Sequence, residues 1–243
     1  MAHSSIVTIS HNEVIVACRK AFEALGLSFG QAEDASEAIG WLALHRLPFQ
    51  DQLSAALNGW QSKLLYASPL SQSPDQSIWD AQGGSALYIF PNLIDYGSVQ
   101  AQKHGAYTLQ ILNMPDVGLM WPYIVCIQKR GISLMLQRSD GAAGVQQIIC
   151  QAGEERPAIN QLDAAGDWLI EKVEVRFLPQ DESSANHSEI RIANSESLLS
   201  TALDCTANGI QIEASLWIKL NLLGKGLLVE STAESENRGA GGV

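Results

Sequence analysis

The feature that most constrains this chain is a change of hydrophobic period. Through about the first 65 residues apolar side chains recur at intervals of three and four. From residue 86 onward the interval switches repeatedly between two and 3.6. Ser10-His11-Asn12-Glu13 has the Ser-x-x-Glu form of a capping box, in which hydroxyl and carboxylate each satisfy an orphan amide. Val14, Cys18, Ala21, Phe22 and Leu25 then fall on one face, and Gly26 ends the helix. A second helix is expected from Gly30, with Ala32, Ala35, Ile39 and Leu42 on one side, stopped by Pro48. A third is expected over 50–65, with Leu53, Leu57, Trp60 and Leu64 in line. Residues 1–65 are therefore expected to form an N-terminal three-helix element.

Residues 66–85 are rich in Ser, Pro, Gln and Gly and read as an irregular connection. In the body, 86–229, strands are expected at 86–90, 107–112, 132–137, 145–150, 173–178 and 209–212. Helices are expected at 93–103, 117–130 (kinked at Pro122), 197–205 and 214–223, with loops around Pro157 and Asp163 and over 180–188. Residues 230–243 form a Gly-rich tail. The alternation predicts an α/β or α+β fold, a mixed sheet covered by helices within one integrated domain.

Charge narrows the function. Fifteen Lys+Arg against 26 Asp+Glu give −11, which argues against nucleic acid as a partner, since phosphate contacts need clustered cations. The longest apolar stretch, 117–127, is broken by Gly118 and Pro122 and is too short to span a bilayer, so no membrane partner is expected. No signal-peptide pattern opens the chain. Cys18, Cys126, Cys150 and Cys205 are scattered among apolar neighbours and read as reduced core residues of a cytoplasmic protein. The sequence contains no P-loop, no Gly-x-Gly-x-x-Gly, no Gly-x-Ser-x-Gly and no His-Glu-x-x-His. No metal site and no cofactor can be assigned from it.

The best local constellation lies on the second helix. Asp34, Glu37, Trp41 and His45 are spaced three, four and four and line one face, with Glu33 four before Glu37. Carboxylates and an imidazole beside an indole could hold an amine or move a proton. Acids early and His45 with Arg46 late also suit the helix dipole with no site at all. Asp95, Tyr96 and Asp116 follow in segments expected to flank the strands, where α/β ligands bind, although Asp equally favours turns. In the tail, Arg238 beside Gly239-Ala240-Gly241 could clamp a carboxylate or phosphate.

The run Gly26-Leu27-Ser28-Phe29-Gly30-Gln31-Ala32-Glu33-Asp34, continuing to Ala38 and Trp41-Leu42, resembles the opening of a family of uncharacterised bacterial proteins, a domain of unknown function. Gly118-Leu119-Met120-Trp121-Pro122-Tyr123 and Ser235-Glu236-Asn237-Arg238-Gly239-Ala240-Gly241 resemble its later hallmarks. That resemblance implies no activity but draws attention to Glu33, Trp41 and Arg238. The helical opening is also similar to the N-terminal helices of malate/L-lactate dehydrogenases of the non-Rossmann type. Their histidine-bearing motif is missing here, so their cofactor is not carried over.

The expectation is a protein that binds or converts a small metabolite, one that carries a carboxylate. Glu33 or His45 would handle a proton. Glu37, Trp41, Asp95, Tyr96 and Arg238 would bind substrate, with Arg238 on the carboxylate. The alternative is a non-catalytic homo-oligomer or accessory subunit whose six tryptophans and apolar helices form an interface.

Overall fold

The computed structural model describes residues 5–60, 64–139, 145–152, 154, 156–162, 172–178 and 190–227. The chain opens with a short strand, β1 (Ile6–Ile9), then three helices: α1 (His11–Ala24), α2 (Phe29–Leu44) and α3 (Gln50–Asn58). Both long helices start with reciprocal caps. Ser10 Oγ accepts from the Glu13 amide at 3.3 Å, and Glu13 accepts from the Ser10 amide at 2.7 Å. Ser28 and Gln31 repeat the device at the start of α2. Val14, Cys18, Ala21 and Phe22 are buried, the face expected from their spacing.

The order continues β2 (Ser68–Gln72), β3 (Gln76–Asp80), α4 (Ala86–His104), β4 (Tyr107–Leu112), α5 (Val117–Met120) and α6 (Tyr123–Gln128). Then come β5 (Ser133–Ser139), β6 (Val145–Cys150), β7 (Ala158–Leu162), β8 (Val173–Leu178), β9 (Ile190–Ala193), α7 (Ser195–Asn208), β10 (Ile210–Glu213) and α8 (Ala214–Lys225). Among the described residues eight strands form one mixed sheet in the order β2-β3-β4-β8-β5-β6-β7-β9. Among the described strands only β3 and β4 pair in parallel, and α4 is the crossover between them. β1 pairs antiparallel with β10, tying the first described strand to the last. The fold is thus mixed α/β, as the alternating periods predict.

One face of the sheet supplies the core. Tyr107, Leu109 and Ile111 of β4 stand opposite Phe177, Val175 and Val173 of β8, all of them buried, and Leu134 and Leu136 of β5 extend the layer. The residues between them point the other way and form a polar row across β4, β8, β5, β6 and β7: Gln110, Glu174, Gln137, Gln147 and Asn160. Glu174, Gln147 and Asn160 are buried there and tied to neighbours, Glu174 to Gln110 at 3.1 Å and to Arg176.

Several expectations are corrected. Residues 66–85 are not an irregular connection, for they hold β2 and β3. Pro69 disguises β2, but proline is tolerated on an outermost strand. The segment 86–90 is helix, not strand. Leu87-Tyr88-Ile89-Phe90 has strand propensity, yet α4 buries it on every side, and burial outweighs propensity. The helix over 117–130 is two short helices parted at Trp121-Pro122, and the third helix stops at Asn58, short of residue 65. The loop after Pro157 contains β7, and β1 lies within the stretch expected to be wholly helical. The 180–188 loop, Asp163 and the 230–243 tail lie outside the described residues. Cys18, Cys150 and Cys205 are buried free thiols, while Cys126 is partly exposed. No helix among the described residues is long and apolar enough to cross a membrane.

Candidate functional site

The parallel pair dictates where a site can form. At the carboxyl ends of two parallel strands, chain leaving one must turn into the crossover, and the diverging loops open a crevice. Here the two loops are 81–85 after β3 and 113–116 after β4. They are stitched together by Ala81 N–H to the Leu112 carbonyl and Gly83 N–H to the Asn113 carbonyl, both at 2.9 Å. Asp80 accepts from the Gln82 amide at 2.8 Å and from Asn113 Nδ2 at 2.9 Å. Gln82, Asn113 and Asp116 all adopt positive φ, so these are tight, specified turns.

Against them α3 contributes the opposite wall. The result is a cleft of about 460 Å³ whose apolar lining includes Ala56, Trp60, Leu65, Met114 and Val117. Its polar groups are Gln52, Ser85, Tyr88, Asp116 and Arg138. Trp60 is anchored by its indole N–H, which donates to the Leu25 carbonyl at 3.1 Å, and meets Tyr88 edge-on at 6.0 Å. Tyr88 Oη accepts from the Leu65 amide at 3.2 Å. Gly118 makes room: a Cβ there would collide with Gln52 Oε1. Arg138 is oriented by Nε donating to Gln146 at 2.9 Å.

Asp116 is the chemically distinctive group. The Ser85 hydroxyl donates to its Oδ2 at 2.6 Å and the Ala86 amide to its Oδ1 at 2.9 Å. Burial pushes its pKa up to about 6, against the pull of those two donors. A carboxyl that titrates near neutrality in a walled cleft is equipped to give or take a proton.

The residues singled out from sequence are dispersed. Glu33 and Glu37 are exposed on α2. Trp41 and His45 stand together at its end, their rings 3.9 Å apart between centroids. Asp95, on α4, pairs with Arg130 at 2.9 Å and accepts from Tyr123 Oη at 3.2 Å. Asp34 nearby has its pKa raised by burial and then by Asp95, Glu37 and Glu33. Tyr96 accepts from Gln72 Nε2 at 3.4 Å and packs against Trp79. None of these lines the cleft, and Arg238 lies outside the described residues. Among the described residues no group of three His, Cys, Asp or Glu could hold a metal ion.

Residues 9–87 match the model of a family described as a protein of unknown function, DUF3726. A comparison with curated proteins finds no match to the sequence. Among solved structures the chain resembles malate dehydrogenase from Pyrococcus horikoshii, with TM-score 0.68 and 11% identity over 93% of this chain and 97% of that one. Sulfolactate dehydrogenase from Methanocaldococcus jannaschii gives 0.63 and 8%, over 89% and 96%. Delta1-piperideine-2-carboxylate reductase from Pseudomonas syringae pvar. tomato gives 0.58 and 13%, over 89% and 99%. At such identities the likeness shows a shared fold.

Within this fold Asp116 can be picked out in the sequence as pocket lining, but its partners cannot. The strand reading of 86–90 hides Ser85, although a Ser ahead of an apolar run is also a helix-start signal. Gln52 and Arg138 carry no local signal, because α3 and β5 meet at the cleft only through the tertiary fold.

Proposed function

We propose that the chain binds, and converts, a small carboxylate-bearing metabolite in the cleft between the β3 and β4 loops and α3. The observation that carries this reading is Asp116, a partly buried carboxyl titrating near 6 in a cleft with an apolar wall and a cation. In this reading Arg138 pairs with the ligand carboxylate and Trp60 and Met114 pack its carbon skeleton. Asp116 exchanges a proton with it while Ser85 holds the carboxyl in place. The fold supports the same class, since the similar structures are of enzymes named for malate, sulfolactate and a piperideine carboxylate.

The test is titration with a panel of small carboxylates, malate and lactate included, read by tryptophan fluorescence and by amide NMR of the cleft residues. Saturable shifts at Trp60 and Ser85 are expected, with affinity falling about tenfold in Arg138→Gln through loss of a charge-assisted contact. No shift from any carboxylate, or undiminished binding in Arg138→Gln, would sink the reading.

One feature favours the oligomer as a second reading. Leu199 and Leu203 on α7, and Ile218 and Leu222 on α8, are exposed four apart, as in apolar stripes awaiting cover. Light scattering on Leu203→Glu and Leu222→Glu tests it: a monomeric wild type removes it.

A further inference from the structure

Next to the cleft lies a second depression, of about 480 Å³, with Leu47, Pro48, Phe49 and Ile210 in its wall. Gln52 is the one described residue that borders both. The two hollows are alike in having apolar surface on either side of it, Ala56, Met114 and Val117 in the cleft and Leu47, Phe49 and Ile210 beyond.

The helix that carries Gln52 is fixed, while its side chain is not. Leu53 and Leu57 of α3 are buried. Two residues before Gln52, Gln50 ties the helix to β10: its Oε1 accepts from the Glu213 amide at 2.8 Å, and its Nε2 donates to the Gln211 carbonyl at 3.3 Å. The Gln52 carboxamide makes no such bond to any described residue. It is half-buried and rests on Gly118, where a Cβ would collide with it, so the absent side chain is what gives the amide its seat. An amide held by packing alone can be displaced, since its movement breaks no hydrogen bond.

We propose that Gln52 is the specificity-determining residue of the cleft, a partition that sets how long a carboxylate it accepts. The inference rests on the reading of the cleft as a carboxylate site. A short acid ends against the Gln52 amide, and a longer one has to push that amide aside to enter the second depression. Replacing Gln52 by Ala shortens the side chain by about three methylene lengths, and each methylene that a ligand can then bury strengthens binding about fourfold.

The whole chain is titrated with straight-chain carboxylates from propionate to nonanoate, followed by amide NMR. In the wild type, affinity should rise with chain length and then fall, and the amides of Ile210 and Gln211 in the second depression should stay unmoved. In Gln52→Ala the preferred length should grow by about three carbons, and the longer acids should shift Ile210 and Gln211. Gln52→Met, of similar length but without the amide, should keep the wild-type preference, which separates a steric partition from a hydrogen bond to the ligand. Urea midpoints of both variants should stay near that of the wild type, because both residues are good helix formers at a half-buried position. Four results would each overturn the proposal and leave the carboxylate reading standing: an unmoved length preference in Gln52→Ala, no shift at Ile210 in that variant, a longer preference in Gln52→Met, or long acids that already shift Ile210 in the wild type. Absence of binding by any of the acids would overturn both.

Discussion

Replacing Asp116 by Asn should change how stability depends on pH, and the structure fixes the sign. The native pKa of about 6 lies above the ordinary 3.8, so between these values the folded chain binds more protons than the unfolded one. Asp116 therefore favours the folded state fully below about pH 3.8, and that contribution is lost as pH rises through 6. A rise of about 2.2 units corresponds to about 3 kcal/mol at 1.36 kcal/mol per unit. One side of the carboxyl faces the cleft, where solvent screens it, so the expected effect is about 1.5–3 kcal/mol. An asparagine side chain suits the site. It tolerates the positive φ of 53° at this position, it can accept from the Ala86 amide, and its NH₂ can donate to Ser85 Oγ. Urea unfolding of both proteins from pH 4 to pH 8, followed by tryptophan fluorescence, gives the difference free of the other carboxylates. The Asp116→Asn protein should gain on the wild type by about 1.5–3 kcal/mol across that range. A difference flat to about 0.5 kcal/mol would refute the burial argument. A difference of opposite sign would mean that the Ser85 and Ala86 donors outweigh burial and hold the carboxyl ionised.

Two other substitutions test the packing and the surface. In Gly97→Ala the new Cβ would press into Cε2 of the buried Phe177, well inside van der Waals contact, where α4 lies on β8. Overpacking of about 1–3 kcal/mol should exceed the roughly 1 kcal/mol that Ala gains over Gly in a helix, and Phe177→Leu should relieve it. Stabilisation by Gly97→Ala in the wild-type background would count against this close contact. Asp95→Asn breaks the pair with Arg130, both side chains being about half exposed (45% and 51%). It should cost no more than about 0.5 kcal/mol in urea unfolding and leave carboxylate affinity in the cleft unaltered; a loss of affinity there would return Asp95 to the site.

What is legible in the sequence is what local chemistry encodes. The Ser10 cap and the buried faces of α1 and α2 follow from spacing and from reciprocal side-chain bonds within four residues. β8 is readable because Val173, Val175 and Phe177 alternate between polar neighbours. The strand β2 is not, since Pro69 is acceptable only on an outermost strand and position in a sheet is a non-local fact. The start of α4 is hidden for a similar reason. Nothing within Leu87-Tyr88-Ile89-Phe90 says helix; Asp116, 30 residues beyond Ala86, accepts from the Ala86 amide and helps set the first turn. The candidate site shows the same limit, as Asp116 looks like pocket lining but Ser85, Gln52 and Arg138 reach it from three distant elements.

The tie between Asp116 and the start of α4 also decides how function can be tested. Ser85 caps that helix while its hydroxyl donates to Asp116, so the two serve the fold and the cleft at once. Loss of activity on replacing either would not separate chemistry from a loosened helix. Arg138 and Gln52 are different. Arg138 lies on a strand held by its backbone ladder to β6 and β8, and Gln52 is on a turn of α3 beside Gly118. In the proposed reading, substitutions at these two positions would remove contacts to a ligand while leaving the helix caps and the backbone ladder intact, the Arg138 bond to Gln146 aside. A metabolite bound in the cleft should therefore lose affinity in Arg138→Gln and Gln52→Ala with urea midpoints near that of the wild type. Asp116→Asn should alter the pH dependence of both stability and turnover. Agreement of those two patterns would tie the proton and the ligand to one site through independent residues.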